Sequence, residues 1–511
     1  MPGDGEKPDR RSFSEFRSTI DPDAPATEMV LEEAEALRDA EGAIRSGKLA
    51  GKSLRAAIWI LAFPIFLQQL AAACLGLVDK ILAGNLPPGV NVPALDGLGI
   101  GSYITWFIGI AMAGLGVGGQ ALIARAIGGG NAREAHLALG QTMILSALWG
   151  GIVGAALWLV APVIARLCGL NEDATVMCVD YVRILAHAMP FCGIMMVGSM
   201  CLYGAGETTK PSAVAIFVNF VNIAFSWVFS GADVTFGGWT LVNPFPFDLH
   251  VKGIAAGTAI SYLVGAVLIL WIQRRGVKDL RLRAGELVPR RAMIWRIVRV
   301  GIPSFLDGIS MWAANLLVLV FIGMIAMKSE EGAGMQGAHI IAVQWEMFSI
   351  LPGFAVGTAA GALAGQYLGA RNPGMAQKAV LTCTAITMVV MGSVGVVYMT
   401  MGPALTRVIS SEPVHLEHVP HLLLICGMSQ VFFAIMMVLR QGLRGVGDTT
   451  WTFMITTAAS YGVRLPAAWF FGLYLGLGIE GIWIGLCGEM VVRAAMFGAR
   501  FFHGGWKRIR V

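Results

Sequence analysis

Long apolar stretches alternate with short polar segments along almost the whole chain. Twelve of these stretches are long enough to cross a bilayer, for which a helix needs ~20 mostly apolar residues. A soluble protein has no way to bury that much apolar surface, so the pattern predicts an all-α integral membrane protein. The twelve predicted spans lie roughly at 57–83, 97–123, 139–164, 180–202, 212–231, 253–273, 301–327, 337–361, 379–402, 419–440, 452–473 and 479–500.

The second half of the chain repeats the first at a fixed offset of 241 residues. Segment 120–131 corresponds to segment 361–372. In the same way, Leu202-Tyr-Gly-Ala-Gly-Glu-Thr-Thr209 corresponds to Leu443-Arg-Gly-Val-Gly-Asp-Thr-Thr450. Because six spans are an even number, the second repeat begins on the same side as the first, and the repeats are parallel. We therefore expect two six-helix lobes around a central cavity, an arrangement typical of transporters.

The repeat predicts five regions. They are a cytoplasmic N-terminal tail (1–54), an N-lobe (55–273), a basic cytoplasmic linker (274–299), a C-lobe (300–500) and a C-terminal tail (501–511). Residues 1–50 are polar and lack the apolar core of a signal peptide. Segment 26–46 is weakly amphipathic, which leaves a surface helix and disorder both open.

Charge gives the expected orientation. The chain is 56% hydrophobic, 14% charged and carries a net charge of +5. Lys and Arg collect on the cytoplasmic side of membrane proteins, so we expect both termini to be cytoplasmic and the protein to lie in the inner (plasma) membrane. The net charge then reflects topology, and no nucleic-acid partner is expected. Seven basic residues fall on the outer side or in outer helix halves, and the other 30 of 37 on the cytoplasmic side; the seven are Lys80, Arg166, Arg183, Lys252, Lys328, Arg407 and Arg464.

Cysteine and loop patterns leave two questions open. The eight Cys include no CxxC or His/Cys cluster, so no metal site or redox motif is expected. Cys168 and Cys178 flank an outer loop and either pair in an oxidising compartment or stay free thiols. The longer outer loops at 85–96, 231–252 and 328–337 either cap the outer mouth or are surface insertions.

Nine motifs, taken in their order along the chain, resemble the multidrug and toxin extrusion (MATE) family of cation-coupled antiporters over roughly residues 55–500. That resemblance implies a fold of two six-helix lobes that exports drug-like, often cationic compounds in exchange for H⁺ or Na⁺. It implies no enzymatic activity and no cofactor beyond the coupling ion, and we expect a monomer. The motifs are Phe63-Pro64-x-x-x-Gln68, 76–84 around Asp79, 128–131, 204–211, 253–258, Gly301-Ile-Pro303, 369–372, 443–448 and 462–466.

Asp79 in span one is the leading candidate for ion coupling. An ionised Asp at the centre of a membrane helix costs ~2.5–3.5 kcal/mol on insertion scales, so it should face the lobe interior. Burial favours the neutral, protonated form of a carboxyl group, which suits a proton carrier. The alternative is that Asp79 is a static partner of Lys80 or of a polar network. Gln68 lies eleven residues earlier, about three helical turns, and is expected on the same face.

The resemblance extends this candidate site to spans five and six. Similar proteins place an Asn and an Asp one turn apart in span five and a Thr in span six. This chain has Asn222 and Thr258 but Ser226 in place of the second carboxylate, and Asn219 shares the same helix face. Since hard cations bind more tightly as ligand charge rises, one carboxylate among neutral oxygens favours H⁺ over Na⁺.

The second half departs from the family pattern. Met311 stands where many members have a Glu in span seven, and Phe433 where some have an Asp in span ten. Asp307 and Glu346 are therefore the candidate carboxylates for substrate or proton, with helix packing as the alternative role. Arg464 is a buried cation that needs a carboxylate or backbone partner, and is expected in a structural ion pair.

Three further functions stay open. A flippase for lipid-linked substrates would need basic residues facing the cavity, and the charge count disfavours it. A membrane acyl- or glycosyltransferase lacks support from any catalytic cluster. Export of an organic acid or another endogenous metabolite fits the same fold. A small-molecule substrate and the lipid bilayer are the expected partners.

Overall fold

All twelve predicted spans are helical in the computed structural model, which describes residues 53–87, 90–167, 172–236, 239–277, 279–326, 335–410 and 412–509. Most of the helices extend beyond their apolar cores by several residues. Helix α2 begins at Asn91, so the predicted outer loop at 85–96 is shorter than expected. The helices are α1 (Leu54–Gly84), α2 (Asn91–Gly128), α3 (Ala132–Leu167), α4 (Glu172–Gly204), α5 (Thr209–Ser230), α6 (His250–Arg275), α7 (Arg291–Ala326), α8 (Met335–Gly369), α9 (Pro373–Ile409), α10 (Pro413–Gly445), α11 (449–474) and α12 (Gly478–His503).

Helix α11 differs from the other eleven because two π-helical stretches interrupt it. The α-helical segment Thr449–Ala459 continues as π-helix at Ser460–Arg464, returns to α-helix at Leu465–Ala468 and ends as π-helix at Trp469–Tyr474. Pro466 cannot donate a backbone hydrogen bond within this helix. The other eleven helices are uninterrupted and apolar enough to cross a membrane. Interruptions of this kind are frequent at functional sites.

Helix pairing shows the repeat in three dimensions. In the first half α1 packs on α5, α2 on α4, α3 on α4, α4 on α6 and α5 on α6. In the second half the matching pairs are α7 with α11, α8 with α10, α9 with α10, α10 with α12 and α11 with α12. We call α1–α6 the N-lobe and α7–α12 the C-lobe. The lobes meet where α2 packs on α7, α1 on α8 and α2 on α8.

Helices α1 and α7 each contact both lobes. Ala57, Ile58 and Leu61 in the first turns of α1 belong to a C-lobe core cluster, whereas Leu82 and Ala83 at its end belong to the N-lobe core. Helix α7 does the converse: Met293 and Ile297 pack in the N-lobe core, and Val318 and Ile322 pack against α11 and α12. The lobes are therefore joined at the side of the bundle where α1 begins and α12 ends, here called the terminal side.

Short elements connect the helices. A two-stranded hairpin, β1 (Val234–Phe236) and β2 (Trp239–Leu241), lies between α5 and α6. The linker between the lobes contains a 3₁₀ turn, Ala284–Leu287. Gln141 of α3 holds this linker, since its Nε2 donates to Glu286 O (2.7 Å) and Val288 O (2.8 Å) and its Oε1 accepts from Arg290 N (2.7 Å).

Candidate coupling and substrate site

Asn222, Ser226 and Thr258 form one buried hydrogen-bonded cluster between α5 and α6. Asn222 Nδ2 donates to Thr258 Oγ1 (3.1 Å), and Ser226 Oγ donates to Asn222 Oδ1 (3.0 Å). The helices approach closely because residue 257 is glycine: a Cβ there would lie 2.4 Å from Ser226 N. The cluster consists of neutral groups whose oxygens and N–H groups largely satisfy one another.

Asp79 lies at the same depth as this cluster. Helices α1 and α5 pack together and run in the same direction, and Gln68 of α1 meets Ser212 of α5. Both helices rise by the same distance per residue. Asp79, eleven residues after Gln68, is therefore level with position 223, eleven residues after Ser212. Its Oδ1 is buried and has no hydrogen-bond partner among the residues that the structure describes. The carboxylate thus lies at the depth of the cluster and has no fixed partner at that oxygen among the described residues.

The Gln68 side chain joins α1 to two other helices of the N-lobe. Its Oε1 accepts hydrogen bonds from Tyr203 Oη (2.7 Å) and Ser212 Oγ (3.0 Å), and so links α1 to α4 and α5. It serves a separate polar contact eleven residues before Asp79. Asn219 is half-buried on α5.

In the C-lobe, Asp307 is fully buried and paired with an arginine. Arg440 of α10 donates from Nε to Asp307 Oδ2 (3.0 Å) and contacts the same oxygen through Nη2. One turn further along α10, Arg444 contacts Ser304 Oγ and, at 3.5 Å, Gln441 Oε1. Asp307 is therefore part of an ion pair between α7 and α10 in this structure.

Glu489 of α12 is the second fully buried carboxylate of the C-lobe, and the sequence pattern did not single it out. Its Oε2 lies 3.3 Å from Arg464 Nη2, and its Oε1 contacts Arg493, one turn away on the same helix. Arg464 also donates to Asn315 Oδ1 (2.5 Å) and Arg493 to Ser460 Oγ (2.8 Å). Arg464 and Ser460 bound the first π-helical stretch of α11, so this network fixes the interrupted helix to α7 and α12.

Glu346 of α8 is half-buried and within electrostatic range of Arg464. His339 precedes Glu346 by about two helical turns on the same helix. The Nδ1 of His339 accepts a hydrogen bond from Trp483 Nε1 (3.2 Å).

The count of cytoplasmic basic residues needs correction. It assigned Arg440, Arg444 and Arg493 to the cytoplasmic side by default. The structure instead places all three within helices of the C-lobe, where Arg493 is 1% exposed and Arg440 meets a fully buried Asp. Arg440 pairs with Asp307 of α7, Arg493 pairs with Glu489 on its own helix, and Arg444 contacts Ser304 of α7. The charge count therefore no longer disfavours basic groups in the lobe interior.

The lobes meet through two matching contacts on the terminal side. Gln366 Nε2 of α8 donates to Gly204 O (2.8 Å), and Arg125 of α2 donates to Val446 O (2.9 Å) and Ile509 O (2.5 Å). Arg125 and Gln366 are related by the 241-residue offset. We call these two residues with Gly128 and Gly369 the inter-lobe contact.

Two glycines make this inter-lobe contact possible. A Cβ on Gly128 would lie 1.9 Å from Gln366 O, and a Cβ on Gly369 would lie 2.2 Å from Arg125 O. Backbone therefore meets backbone directly, as small residues permit in membrane helices. These glycines belong to the same offset as the sequence repeat, so the closure of the terminal side is symmetric.

Other predicted features are only partly described. Cys168 lies outside the described residues, so its pairing with Cys178 stays a prediction. The outer segment 328–337 also falls largely outside them. The segment 231–252 contains the β1–β2 hairpin, and Trp227 Nε1 donates to Ala232 O (3.1 Å) at its start.

The protein has two parallel six-helix lobes, a polar cluster inside each lobe and a contact between the lobes on the terminal side. These features define a multi-pass membrane transporter. The chain matches the MatE family model over residues 64–228 and 303–470, more than half of its length, and it belongs to the MATE family. The resemblance seen in its motifs and the predicted fold are confirmed.

Curated relatives support the same class. The chain is 26% identical to a probable multidrug resistance protein, NorM, of Thermotoga maritima, over 88% of this chain and 92% of that one. It is 24% identical to the multidrug resistance protein PmpM of Pseudomonas aeruginosa, over 88% and 91% of the two chains. Both relatives carry the name of multidrug resistance proteins, and both support the assignment of this chain to the transporters.

Solved structures share the fold. An outward-facing multidrug resistance MATE transporter matches with a TM-score of 0.76 at 23% identity, over 90% of this chain and 97% of that one. A MOP superfamily transporter from Pyrococcus furiosus, for which reverse polarity of the binding pocket suggests a different function, matches with a TM-score of 0.77 at 22% identity, over 88% and 96%.

Proposed function

We propose that this protein exports amphipathic, drug-like compounds from the cytoplasm in exchange for protons, and that Asp79 carries the proton. The observation that supports this most is the buried Asp79 Oδ1, which has no hydrogen-bond partner in the described part of the chain. A buried carboxyl group favours its neutral form and gains a donor when it binds a proton. Protonation therefore changes both the charge and the hydrogen bonding of the N-lobe interior.

Proton coupling fits the surrounding chemistry better than sodium coupling. The neighbouring side chains at the depth of Asp79 are an amide and two hydroxyls, Asn222, Ser226 and Thr258, which already hydrogen-bond to one another. A Na⁺ site there would hold only one negative charge, and cation affinity rises with ligand charge. A proton requires only the Asp79 carboxylate.

Transport requires the two lobes to exchange access from one side of the membrane to the other. In this structure the terminal side is closed by the inter-lobe contact. Both termini are proposed to be cytoplasmic, in the inner membrane, and this state would then be closed to the cytoplasm. Proton binding at Asp79 on the opposite side would change the N-lobe interior and favour release of the exported compound there.

The test is dye efflux into inverted membrane vesicles that contain the full-length protein. Ethidium transport should be lost when nigericin dissipates the pH gradient and should persist in sodium-free buffer. Asp79→Asn should abolish gradient-driven transport, whereas Asp173→Asn, an exposed Asp in the first turn of α4, should transport normally. Loss of transport in sodium-free buffer with the pH gradient intact would refute proton coupling.

An alternative within the same fold is an exporter or flippase of an endogenous metabolite or lipid-linked compound. The arginines inside the C-lobe remove the charge argument against it, because Arg440, Arg464 and Arg493 lie in the lobe interior. Cationic substrates, common in the family, would meet this positive charge in the C-lobe. We therefore propose amphipathic compounds without restriction to cations.

A further inference from the structure

The C-lobe contains more positive than negative charge in its membrane helices. Five arginines lie in α10, α11 and α12. Arg500, in the last turn of α12, pairs with Asp448, and the other four are Arg440, Arg444, Arg464 and Arg493. Arginine within a membrane span is costly and marks functional positions more often than chance allows. Two carboxylates of the described residues contact the guanidinium groups of these four, Asp307 and Glu489. Glu346 of α8 lies within electrostatic range of Arg464, and one of the four arginines has no carboxylate in contact among the described residues.

Arg444 is the arginine that lacks a carboxylate in contact. Asp307 binds Arg440, and Glu489 contacts both Arg464 and Arg493. The Arg444 guanidinium instead contacts two neutral oxygens, Ser304 Oγ and Gln441 Oε1, and the latter is 3.5 Å away. Its Nε is buried and finds no acceptor among the described residues. A buried donor left in this state is costly unless a ligand supplies the acceptor.

The position of Arg444 in the repeat places it near the boundary between the lobes. Its counterpart at the 241-residue offset is Tyr203, which packs with Ile65 of α1 and Ala355 of α8 in a small cluster that joins the lobes. On α7, Phe305 beside Ser304 packs against Gly114 of the N-lobe helix α2. Arg444, which contacts Ser304, is therefore close to the surface that the lobes share, and is half-buried there.

We propose that Arg444, with Arg440 one turn away, binds an anionic group of the exported compound, a carboxylate or a phosphate. This deepens the proposed export function, on which it rests, by naming the charge that the C-lobe recognises. Guanidinium is planar and offers paired N–H donors that match both anions. Ser304 and Gln441 hold the Arg444 side chain in place, and Asp307 holds Arg440, so the donors are oriented before the anion arrives.

The experiment measures binding to purified full-length protein in lipid nanodiscs by fluorescence polarisation. The probes are a BODIPY-labelled pentanoic acid and its methyl ester, which share one fluorophore and differ in the carboxylate. The acid should bind about tenfold more tightly than the ester, because charge-assisted hydrogen bonds are roughly twice as strong as neutral ones. Unlabelled hexanoate and hexyl phosphate, added as competitors, distinguish a carboxylate preference from a phosphate preference.

Three variants test whether Arg444 causes the tighter binding of the acid. Arg444→Gln should weaken binding of the acid about tenfold and leave binding of the ester unchanged. Arg444→Lys should retain part of the preference, because it keeps the charge but loses the planar pair of donors. Arg407→Gln, an exposed arginine near the end of α9, is the matched control and should bind both probes as the wild type does.

Two outcomes would overturn the proposal. Equal affinity of the wild type for acid and ester would show that no anion is recognised, and an undiminished preference in Arg444→Gln would place recognition elsewhere. Arg444→Lys covers the case in which Arg444→Gln does not fold, since it keeps the positive charge at the site. A preference for the acid that is undiminished in Arg444→Lys would contradict the proposal, because the planar pair of donors is lost. Binding is measured without a gradient, so failure of proton-driven efflux would count against the coupling mechanism alone.

Discussion

The two lobes share one pattern of helix pairing but differ in the chemistry of their interiors. In the N-lobe, Tyr203 of α4 donates to the neutral Gln68 of α1. At the corresponding place in the C-lobe, α10 carries Arg440 and Arg444, and α7 carries Asp307. Tyr203 and Arg444 are related by the 241-residue offset, and Gln68 and Asp307 by the 239 residues that separate Pro64 from Pro303. The apolar pattern sets the fold, and a few polar positions set what each lobe does.

The neutral interior of the N-lobe and the charged interior of the C-lobe are expected to differ in how readily their polar contacts rearrange. Removing one partner of a buried ion pair costs about 3–5 kcal/mol, whereas a neutral hydrogen bond contributes about 1 kcal/mol net. The N-lobe cluster of Asn222, Ser226 and Thr258 can therefore rearrange when Asp79 binds a proton. The C-lobe network around Glu489 is expected to stay fixed, which suits recognition of a substrate.

The largest expected effect is loss of Glu489. Glu489→Gln leaves Arg464 and Arg493 without their shared carboxylate in the lobe interior, and should lower the free energy of unfolding by about 3–5 kcal/mol. Thermal unfolding in detergent, followed by tryptophan fluorescence, measures this. Glu172→Gln, an exposed residue in the first turn of α4, is the control. An unchanged unfolding temperature for Glu489→Gln would show that the network does not stabilise the C-lobe.

The inter-lobe contact should be sensitive to one methyl group. Gly128→Ala places a Cβ against Gln366 O and should cost about 1–3 kcal/mol, shifting the protein toward states open on the terminal side. Thiol labelling of a cysteine introduced at Ala124, beside the contact, should become faster. In Gly109→Ala, on the same helix, the added Cβ meets no atom within 4 Å, and labelling should match the wild type. Equal labelling in both variants would argue against this contact as the closed gate.

The smallest effect is expected in the neutral cluster. Thr258→Val removes the hydroxyl that accepts from Asn222 Nδ2 and should reduce stability by about 1–2 kcal/mol. The same unfolding assay compares it with Glu489→Gln. A loss as large as that of Glu489→Gln would remove the contrast between a rearrangeable N-lobe and a fixed C-lobe.

Sequence was sufficient for features that depend on local pattern. Apolar runs predicted all twelve helices, and the repeat predicted the two lobes, because both are set by hydrophobicity along the chain. Helix spacing of i, i+4 and the family resemblance together pointed to Asn222, Ser226 and Thr258 in the sequence. The pairs Asp307–Arg440 and Arg464–Glu489 were missed because they join helices far apart in sequence, where spacing gives no signal. The partners of Gln68, Tyr203 and Ser212, were missed for the same reason, since they lie on other helices.

The central claim is that protons enter through Asp79 while the compound is recognised elsewhere. It is tested most directly in proteoliposomes with the pH dye pyranine inside, where an outward gradient of ethidium is imposed without sodium. Wild-type protein should carry protons inward as ethidium leaves. Asp79→Asn should bind ethidium with unchanged affinity and carry no protons. Ethidium-driven proton influx through Asp79→Asn, or a requirement for sodium in the wild type, would contradict the account.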